Sequence, residues 1–238
     1  DRRQRQMCIR DRPRPVEIEM PPETMVESEE VQLLEASTFE RMKPNDDAIT
    51  EAVKLIINAK NPLIYAGTGV IRSEAEDELR ELSEITNIPV ITSAAAKGVI
   101  SDEHPNSLGS GLTGKGQIKE LMEKSDLIII LGSRFAIRYP AAENTKKILE
   151  EIDNSEIGKF HKDVLPVVGD AKVSLIELSQ ALGSWKADDS WYKKSRIELK
   201  NWEAYVEKES GPTNQKLPSY AQVIGACYRN SDPTDIAV

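Results

Sequence analysis

The chain is poor in the residue types that most metal centres and catalytic triads require. Its 238 residues include two cysteines, Cys8 and Cys227, and two histidines, His104 and His161. Cysteines this far apart supply neither a disulfide framework nor a paired metal site, which fits a reducing intracellular compartment. Two histidines leave little for a zinc site or a Ser/His/Asp triad. We expect neither to be catalytic, and we interpret His161 as a solvated loop residue.

Positive charge and long apolar runs are also scarce. Lys and Arg number 31 against 40 Asp and Glu, a formal net charge of -9, which argues against a nucleic-acid or anionic-membrane partner. No apolar run approaches the roughly 20 residues of a membrane-spanning helix. No apolar segment follows the first arginines, as a signal peptide would require. A hydrophobic content of 39% still suffices for a large core, so we expect a cytoplasmic globular protein.

The first residues differ from the rest. Residues 1–14 contain six Arg and two Asp without a helical or strand period. Residues 1–12 resemble translated sequencing-adapter sequence, and we interpret them as a non-native tail. Residues 13–24 contain an alternating strand with Val16, Ile18 and Met20, which ends at two prolines. The glutamate-rich residues 25–44 are typical of a linker, with a boundary near Pro44.

The central block, residues 45–183, alternates apolar strands with amphipathic helices. Asn45 is expected to cap the first helix. The predicted strands are residues 63–66, 88–92, 127–131, 148–152 and 164–168, and the later helices are residues 74–86, 115–124 and 171–182. Such alternation predicts an α/β fold with a doubly wound, mostly parallel, Rossmann-like sheet.

In such a sheet, ligands bind beyond the carboxyl ends of the strands. The residues expected at that edge as a nucleotide-binding cleft are Gly67, Thr68, Gly69, Thr92, Ser93, Gly132, Arg134, Asp153 and Asp170. Glycines allow a pyrophosphate to approach the backbone, and an arginine can bind phosphate through two hydrogen bonds. The complete G-x-G-x-x-G motif is absent, since Ile71, Arg72 and Ser73 follow the Gly-Thr-Gly turn. Tight turns without a ligand therefore remain an equal alternative from spacing alone.

Several phrases, in order and with similar gaps, resemble the central domain of acetolactate-synthase-type thiamine-diphosphate (ThDP) enzymes. They are residues 59–70, 88–92, 97–105, 125–134 and 152–158. Two phrases depart from that family. The chain has Gly-Leu-Thr-Gly at 111–114, where those synthases have Gly-Met-His-Gly. It has Arg-Phe-Ala-Ile-Arg at 134–138, where they have Arg-Phe-Asp-Asp-Arg.

The resemblance implies a three-domain, ThDP- and Mg-dependent decarboxylase or carboligase acting on a 2-keto acid, active as a homodimer or homotetramer. Its catalytic glutamate and its Gly-Asp-Gly magnesium motif belong to the flanking domains, and neither is found in this sequence. We therefore expect a fragment that contains no catalytic or metal-binding residue. Central domains of this family hold FAD, ADP or nothing, so either nucleotide is possible here.

The same resemblance divides the rest of the chain. Residues 13–24 would end the N-terminal pyrimidine-binding domain, residues 184–215 would form a linker helix, and residues 216–238 would begin the C-terminal diphosphate-binding domain. The helix at 191–208 is aromatic, and we expect it to pack against a neighbouring domain rather than stack on a base. A non-catalytic nucleotide-binding or scaffolding domain stays open as an alternative. A sirtuin-like deacylase is disfavoured because its zinc cysteines and catalytic histidine have no counterpart.

Overall fold

A computed structural model describes residues 19, 21–28, 30, 32, 40–111, 116–136, 145–214 and 216–232. Several predictions lie outside these residues. They are the tail at 1–12, the strand with Val16, Ile18 and Met20, most of the phrase at 111–114, Arg138, and residues 233–238 of the segment expected to begin the diphosphate-binding domain.

The described chain contains six strands and seven helices. The strands are β1 (Pro62–Ala66), β2 (Val90–Ser93), β3 (Ser107–Gly111), β4 (Leu127–Leu131), β5 (Lys146–Glu151) and β6 (Leu165–Val168). The helices are α1 (Asp46–Asn58), α2 (Thr68–Arg72), α3 (Glu76–Thr86), α4 (Gly116–Lys124), α5 (Ala171–Leu182), α6 (Asp189–Ser210) and α7 (Tyr220–Asn230).

All six strands are parallel, in the order β3-β2-β1-β4-β5-β6. This confirms the predicted doubly wound α/β fold. The central strands β1 and β4 are buried along their whole length, as expected for parallel strands covered on both faces. The chain leaves β1 towards β2 and β3 on one side and later passes from β4 to β5 and β6 on the other. A topological switch point therefore lies between β1 and β4, where a crevice is expected.

Helices cover both faces of the sheet. One face packs against α1, α3 and α5 through apolar side chains such as Ile56, Leu82 and Leu178. The other face packs against α4 and α6 through Leu121 and Trp191. Trp191 is 1% exposed, and its indole N–H donates to the Pro62 carbonyl at 2.8 Å. The helix expected as a linker thus forms a layer over the sheet, and Trp191 packs against the strands rather than being free to stack on a base.

The segment after β1 differs from its prediction. Instead of one helix from Glu74, a short helix α2 is followed by α3, which begins at Glu76. Glu74 has a positive φ of 53° and cannot continue a right-handed helix. The turn directs Arg72 and Ser73 towards the carboxyl edge of the sheet, where both line the crevice described below.

None of the described helices is both long and apolar enough to cross a membrane.

The last helix, α7, begins with a capping box at Ser219 and Gln222. Its apolar side chains Tyr220, Ile224 and Tyr228 are 92%, 68% and 82% exposed. Their spacing of four places them on one face of the helix.

Candidate functional site: a cleft at the carboxyl edge of the sheet

A cavity of about 480 Å³ lies at the switch point. Its walls come from the segments that follow β1, β2, β4, β5 and β6. Cavities of roughly 300–1,000 Å³ are typical of small-molecule sites. The position is the one that the doubly wound fold predicts for a ligand.

Six of the nine residues expected at this edge line the cavity. They are Thr68, Gly69, Ser93, Gly132, Arg134 and Asp170. The other three, Gly67, Thr92 and Asp153, are not part of the lining. Thr92 is 3% exposed inside β2, and Asp153 accepts a hydrogen bond from the Ser155 N–H at 2.9 Å.

The glycines bring two loops together. A Cβ on Gly69 would lie 2.4 Å from the Gly132 Cα, and one on Gly132 would lie 2.5 Å from the Gly69 Cα. Gly132 also has a φ of 57°, which L side chains rarely adopt. The Gly67 N–H donates to the Leu131 carbonyl at 2.8 Å, and the Gly69 N–H donates to the Gly132 carbonyl at 2.9 Å. These two N–H groups are therefore engaged in packing between the loops, and the role of the glycines towards a pyrophosphate stays a prediction.

Cationic and hydroxyl side chains at the mouth of the cavity are available to bind an anionic ligand. Arg72 and Arg134 line it and are solvent-exposed. Thr68 and Ser93 are partly exposed and add hydroxyl groups to the same wall. Two guanidinium groups with nearby hydroxyls can bind phosphate oxygens through charge-assisted hydrogen bonds.

The floor of the cavity is acidic and buried. Glu150 and Glu151 end β5 and are 1% and 8% exposed. The Gly132 N–H donates to Glu150 Oε2 at 2.6 Å, which ties the loop after β4 to the end of β5. Burial raises the pKa of Glu150 to about 8, and the negative charges of Glu151 and Asp170 act in the same direction. The single hydrogen bond from Gly132 opposes that shift without cancelling it.

An aromatic cluster supports the loop that carries Arg134. Phe135 lines the cavity with a φ of 46°, and its ring meets Tyr65 edge-on at 4.9 Å between centroids. His161 Nε2 lies 2.9 Å from the Phe135 carbonyl, and the two rings are 5.3 Å apart. The expectation that His161 is merely solvated is therefore wrong, because its ring is partly buried against Phe135 and holds this loop.

Asp170 has a structural network of its own. It caps α5 by accepting from the Lys172 and Val173 N–H groups at 3.1 and 3.3 Å. Its carboxylate also accepts from the Ser73 hydroxyl and forms a salt bridge with Arg41, both at 3.0 Å. These contacts use the lone pairs that a ribose hydroxyl would otherwise need. Asp170 therefore forms part of the cavity wall, and its contacts with α5, Ser73 and Arg41 fix its position.

Eleven lining residues were not predicted from the sequence. They are Tyr65, Arg72, Ser73, Ala95, Ser133, Phe135, Ala136, Glu150, Glu151, Ile152 and Ala171. Four of them, Ser133, Phe135, Ile152 and Ala171, are direct sequence neighbours of predicted residues, and the other seven lie further along the same strand ends and loops. Glu150 and Glu151 carried a usable signal, since two carboxyl groups end an apolar strand in a sheet that is covered on both faces.

The other histidine, His104, is not part of the cavity lining. His104 is held in a turn, with Nε2 3.0 Å from Glu84 Oε1 and Nδ1 accepting from the Asn106 N–H at 3.1 Å. Within the described ranges, no group of three or more His, Cys, Asp or Glu side chains is arranged to hold a metal ion.

Comparison with known proteins identifies the architecture. Residues 49–178 match the family model described as the central domain of thiamine pyrophosphate enzymes. The chain is 37% identical over 171 residues to an acetolactate synthase of Mycobacterium leprae, covering 69% of this chain and 26% of that protein. It is 30% identical over 202 residues to a pyruvate oxidase of Lactiplantibacillus plantarum, covering 82% of this chain and 32% of that protein.

A solved structure gives the same picture. The benzoylformate decarboxylase of Polynucleobacter necessarius superposes with a TM-score of 0.55 at 25% identity, over 64% of this chain and 30% of that one. The chain thus spans about a quarter to a third of the length of the relatives it matches.

Proposed function

Because the chain belongs to the thiamine pyrophosphate enzyme family, we propose that it is the central part of a ThDP- and Mg-dependent decarboxylase or carboligase for a 2-keto acid. The observation that carries this proposal is the match of residues 49–178 to the central-domain model, combined with a cavity at the switch point. ThDP would supply the electron sink for cleaving the bond next to the keto group. We assign ThDP and magnesium to parts of the enzyme beyond this chain, and no residue here to catalysis.

The exposed face of α7 supports an origin in a larger enzyme. An apolar stripe containing Tyr220, Ile224 and Tyr228 is unusual on a free surface, because apolar patches normally mark contacts with other protein. We propose that residues 216–238 begin the diphosphate-binding domain and that the rest of this domain covers the stripe. We keep residues 13–24 as the end of the pyrimidine-binding domain and 25–44 as its linker. The parent enzyme would be a cytoplasmic homodimer or homotetramer.

The cavity suits the adenosine diphosphate group that ADP and FAD share. Its volume falls within the usual range for small-molecule sites, and Arg72 and Arg134 at its mouth match a pyrophosphate in charge. The buried floor contains Glu150, whose raised pKa favours the neutral acid at pH 7, and its described residues include no cation for a phosphate, so it suits the uncharged nucleoside end. In this role the chain binds and orients a nucleotide and takes no direct part in carbon–carbon chemistry.

Calorimetric titration with ADP and FAD tests this role. We expect both nucleotides to bind, and Arg72→Gln or Arg134→Gln to weaken binding by about tenfold, since each removes a charge-assisted phosphate contact. Arg80→Gln is the matched control, because Arg80 lies on the exposed side of α3 and pairs with Asp77. Flavin absorbance of the purified protein would separate FAD from ADP. Failure of both nucleotides to bind at millimolar concentration would contradict the proposal.

A scaffolding domain without a ligand is the alternative function. It is favoured by the engagement of the Gly67 and Gly69 N–H groups in loop packing, which removes the usual phosphate cradle. The same titration discriminates between the two. A scaffold would bind neither nucleotide, and its arginine variants would behave like the Arg80 control.

A further inference from the structure

Glu150 occupies an unusual position for a carboxyl group. It lies in a strand inside a six-stranded parallel sheet, is 1% exposed, and forms part of the cavity floor. Oε2 accepts the Gly132 N–H at 2.6 Å. Among the described residues, no Lys, Arg or His lies within ion-pair distance of this carboxyl group. Burying a carboxylate without a counter-charge costs far more free energy than burying the neutral acid.

The surrounding charges reinforce this preference. Glu151 follows on the same strand, and Asp170 lines the cavity from the segment after β6, where it also forms a salt bridge with Arg41. Both negative charges disfavour ionisation of Glu150. The cations Arg72 and Arg134 belong to α2 and to the loop after β4, and both side chains are at the solvent-exposed mouth. The charge of the lining therefore changes along the cavity, with cationic groups at its mouth and acidic groups at its floor.

We propose that Glu150 is a specificity-determining residue of this cleft, which as a neutral acid donates a hydrogen bond to an uncharged acceptor atom of a bound nucleoside and keeps phosphate at the arginine-lined mouth. This inference rests on the proposed nucleotide-binding function. The acceptor would be a ring nitrogen, a ring carbonyl or a sugar oxygen. Since Oε2 accepts from Gly132, the proton resides on Oε1, the oxygen left for the ligand.

Ionisation of Glu150 removes that donor. Burial raises the pKa of its carboxyl group to about 8, so the acid is mostly protonated at neutral pH and mostly ionised at pH 9. The ionised form offers only lone pairs to the ligand acceptor and repels it. Binding at pH 9 must therefore return one proton to Glu150, taken from the solvent.

Titration with adenosine and ADP at pH 7 and pH 9 tests the inference in the 238-residue chain. For the unmodified protein, we expect the Kd of both ligands to rise about tenfold between these pH values, as linkage to one group titrating near pH 8 requires. Glu150→Gln keeps a carbonyl acceptor for Gly132 and an N–H donor for the ligand, so its Kd should change less than about twofold. Glu156→Gln, a buried carboxyl outside the cavity, is the matched control and should retain the pH dependence.

Proton counting provides a second readout. Calorimetry at pH 9 in two buffers of different ionisation enthalpy should show uptake of about one proton per adenosine bound by the unmodified protein. The Glu150→Gln variant should show none. If that variant does not fold, Glu150→Leu replaces it. This variant should bind adenosine about tenfold more weakly at pH 7, without pH dependence, because a hydrogen bond to a buried group is lost.

The outcomes separate this inference from the proposed function. If Glu150→Gln shows the same pH dependence as the unmodified protein, the inference fails. A pH effect on ADP but not on adenosine would also overturn it, since repulsion of phosphate alone would then be acting. In either case the arginine variants can still support nucleotide binding. If adenosine and ADP bind at neither pH, both proposals fall.

Discussion

The contact between Gly69 and Gly132 shows how single residues set the shape of the cleft. Each glycine stands where a Cβ would collide with the backbone of the other, so the loops after β1 and β4 meet without side chains between them. The Gly132 N–H then reaches Glu150, and the Gly132 carbonyl accepts from Gly69. One residue therefore fixes three segments around the cavity.

A first prediction follows for Gly132→Ala. The added Cβ meets backbone atoms at 2.5 Å, and the φ of 57° is strained for alanine, so the free energy of unfolding should fall. We expect a loss of roughly 2–4 kcal/mol in urea denaturation. Gly158→Ala is the control, because Gly158 has a φ of 80° with nothing within 4 Å of its Cβ position. It should lose only about 1 kcal/mol. Equal losses in the two variants would show that the contact between Gly69 and Gly132 does not contribute to stability.

The pKa of Glu150 leads to a second prediction, on stability. Its pKa is 4.5 in the unfolded chain and about 8 in the folded one, so the folded state binds more protons between these values. The stability contributed by the neutral acid is therefore complete below pH 4.5 and is lost as the pH rises through 8. A shift of this size corresponds to on the order of 5 kcal/mol.

Glu150→Gln should remove this pH dependence, because an amide does not titrate in this range. We expect the variant to become more stable than the unmodified protein as the pH rises from 5 to 8.5, measured by urea unfolding at each pH. Glu156→Gln again serves as the control. A constant difference between the variant and the unmodified protein across this range would contradict the raised pKa.

The sequence predicted the cleft's location better than its chemistry. Thr68, Ser93, Gly132, Arg134 and Asp170 could be assigned to one edge because the carboxyl ends of parallel strands meet there. The buried state of Glu150 was not predicted, since burial of an acid depends on packing from distant segments rather than on local residue type. The engagement of the glycine N–H groups likewise depends on the contact with Gly132, 63 residues from Gly69.

At the scale of secondary structure, apolar runs were the most reliable guide. β1 and β4 were predicted within one residue because five consecutive buried apolar positions leave no competing pattern. The bounds of β3 were not predicted, since Ser107–Gly111 contains two glycines and one large apolar residue. It forms an edge strand through pairing with β2. Tertiary pairing rather than local propensity decides such elements.

The N-terminus of α5 carries a third prediction. Asp170 caps this helix and binds both Ser73 and Arg41, so Asp170→Ala should lower the free energy of unfolding by about 2–3 kcal/mol. Asp188→Ala at the start of α6 is the control, because Asp188 caps its helix through the Ser190 N–H in an exposed position. The free energy of unfolding should fall clearly less in the Asp188→Ala control. If both variants lose the same amount, the links to Ser73 and Arg41 do not contribute.

Asp170→Asn separates that structural role from a role in ligand binding. The asparagine keeps an oxygen for the helix cap while losing the charge that pairs with Arg41. A folded Asp170→Asn variant with unchanged ADP affinity would leave Asp170 as a wall residue. A folded variant with much weaker ADP binding would show that the Asp170 carboxylate contributes to nucleotide binding.

At the scale of the whole molecule, the chain combines a complete sheet with surfaces suited to further protein. The two clusters of buried side chains, one on each face, give the central unit its own core. By contrast, the apolar stripe on α7 remains exposed, and the relatives are three to four times longer than the matched region. We therefore expect this unit to fold without its neighbours, so that it can be assayed without them.

The last prediction concerns that assay. With ThDP, magnesium and pyruvate, the 238-residue chain should produce neither acetaldehyde nor acetolactate above the rate without protein. The reason is that ThDP chemistry needs a site that positions the cofactor and handles protons. The cavity at the switch point is lined by loop glycines, arginines at its mouth and buried acids, to which we assign a nucleotide rather than ThDP. Nucleotide binding in the same preparation serves as the control for correct folding. Turnover of pyruvate by a preparation free of other ThDP enzymes would contradict the assignment of catalysis to parts of the enzyme beyond this chain.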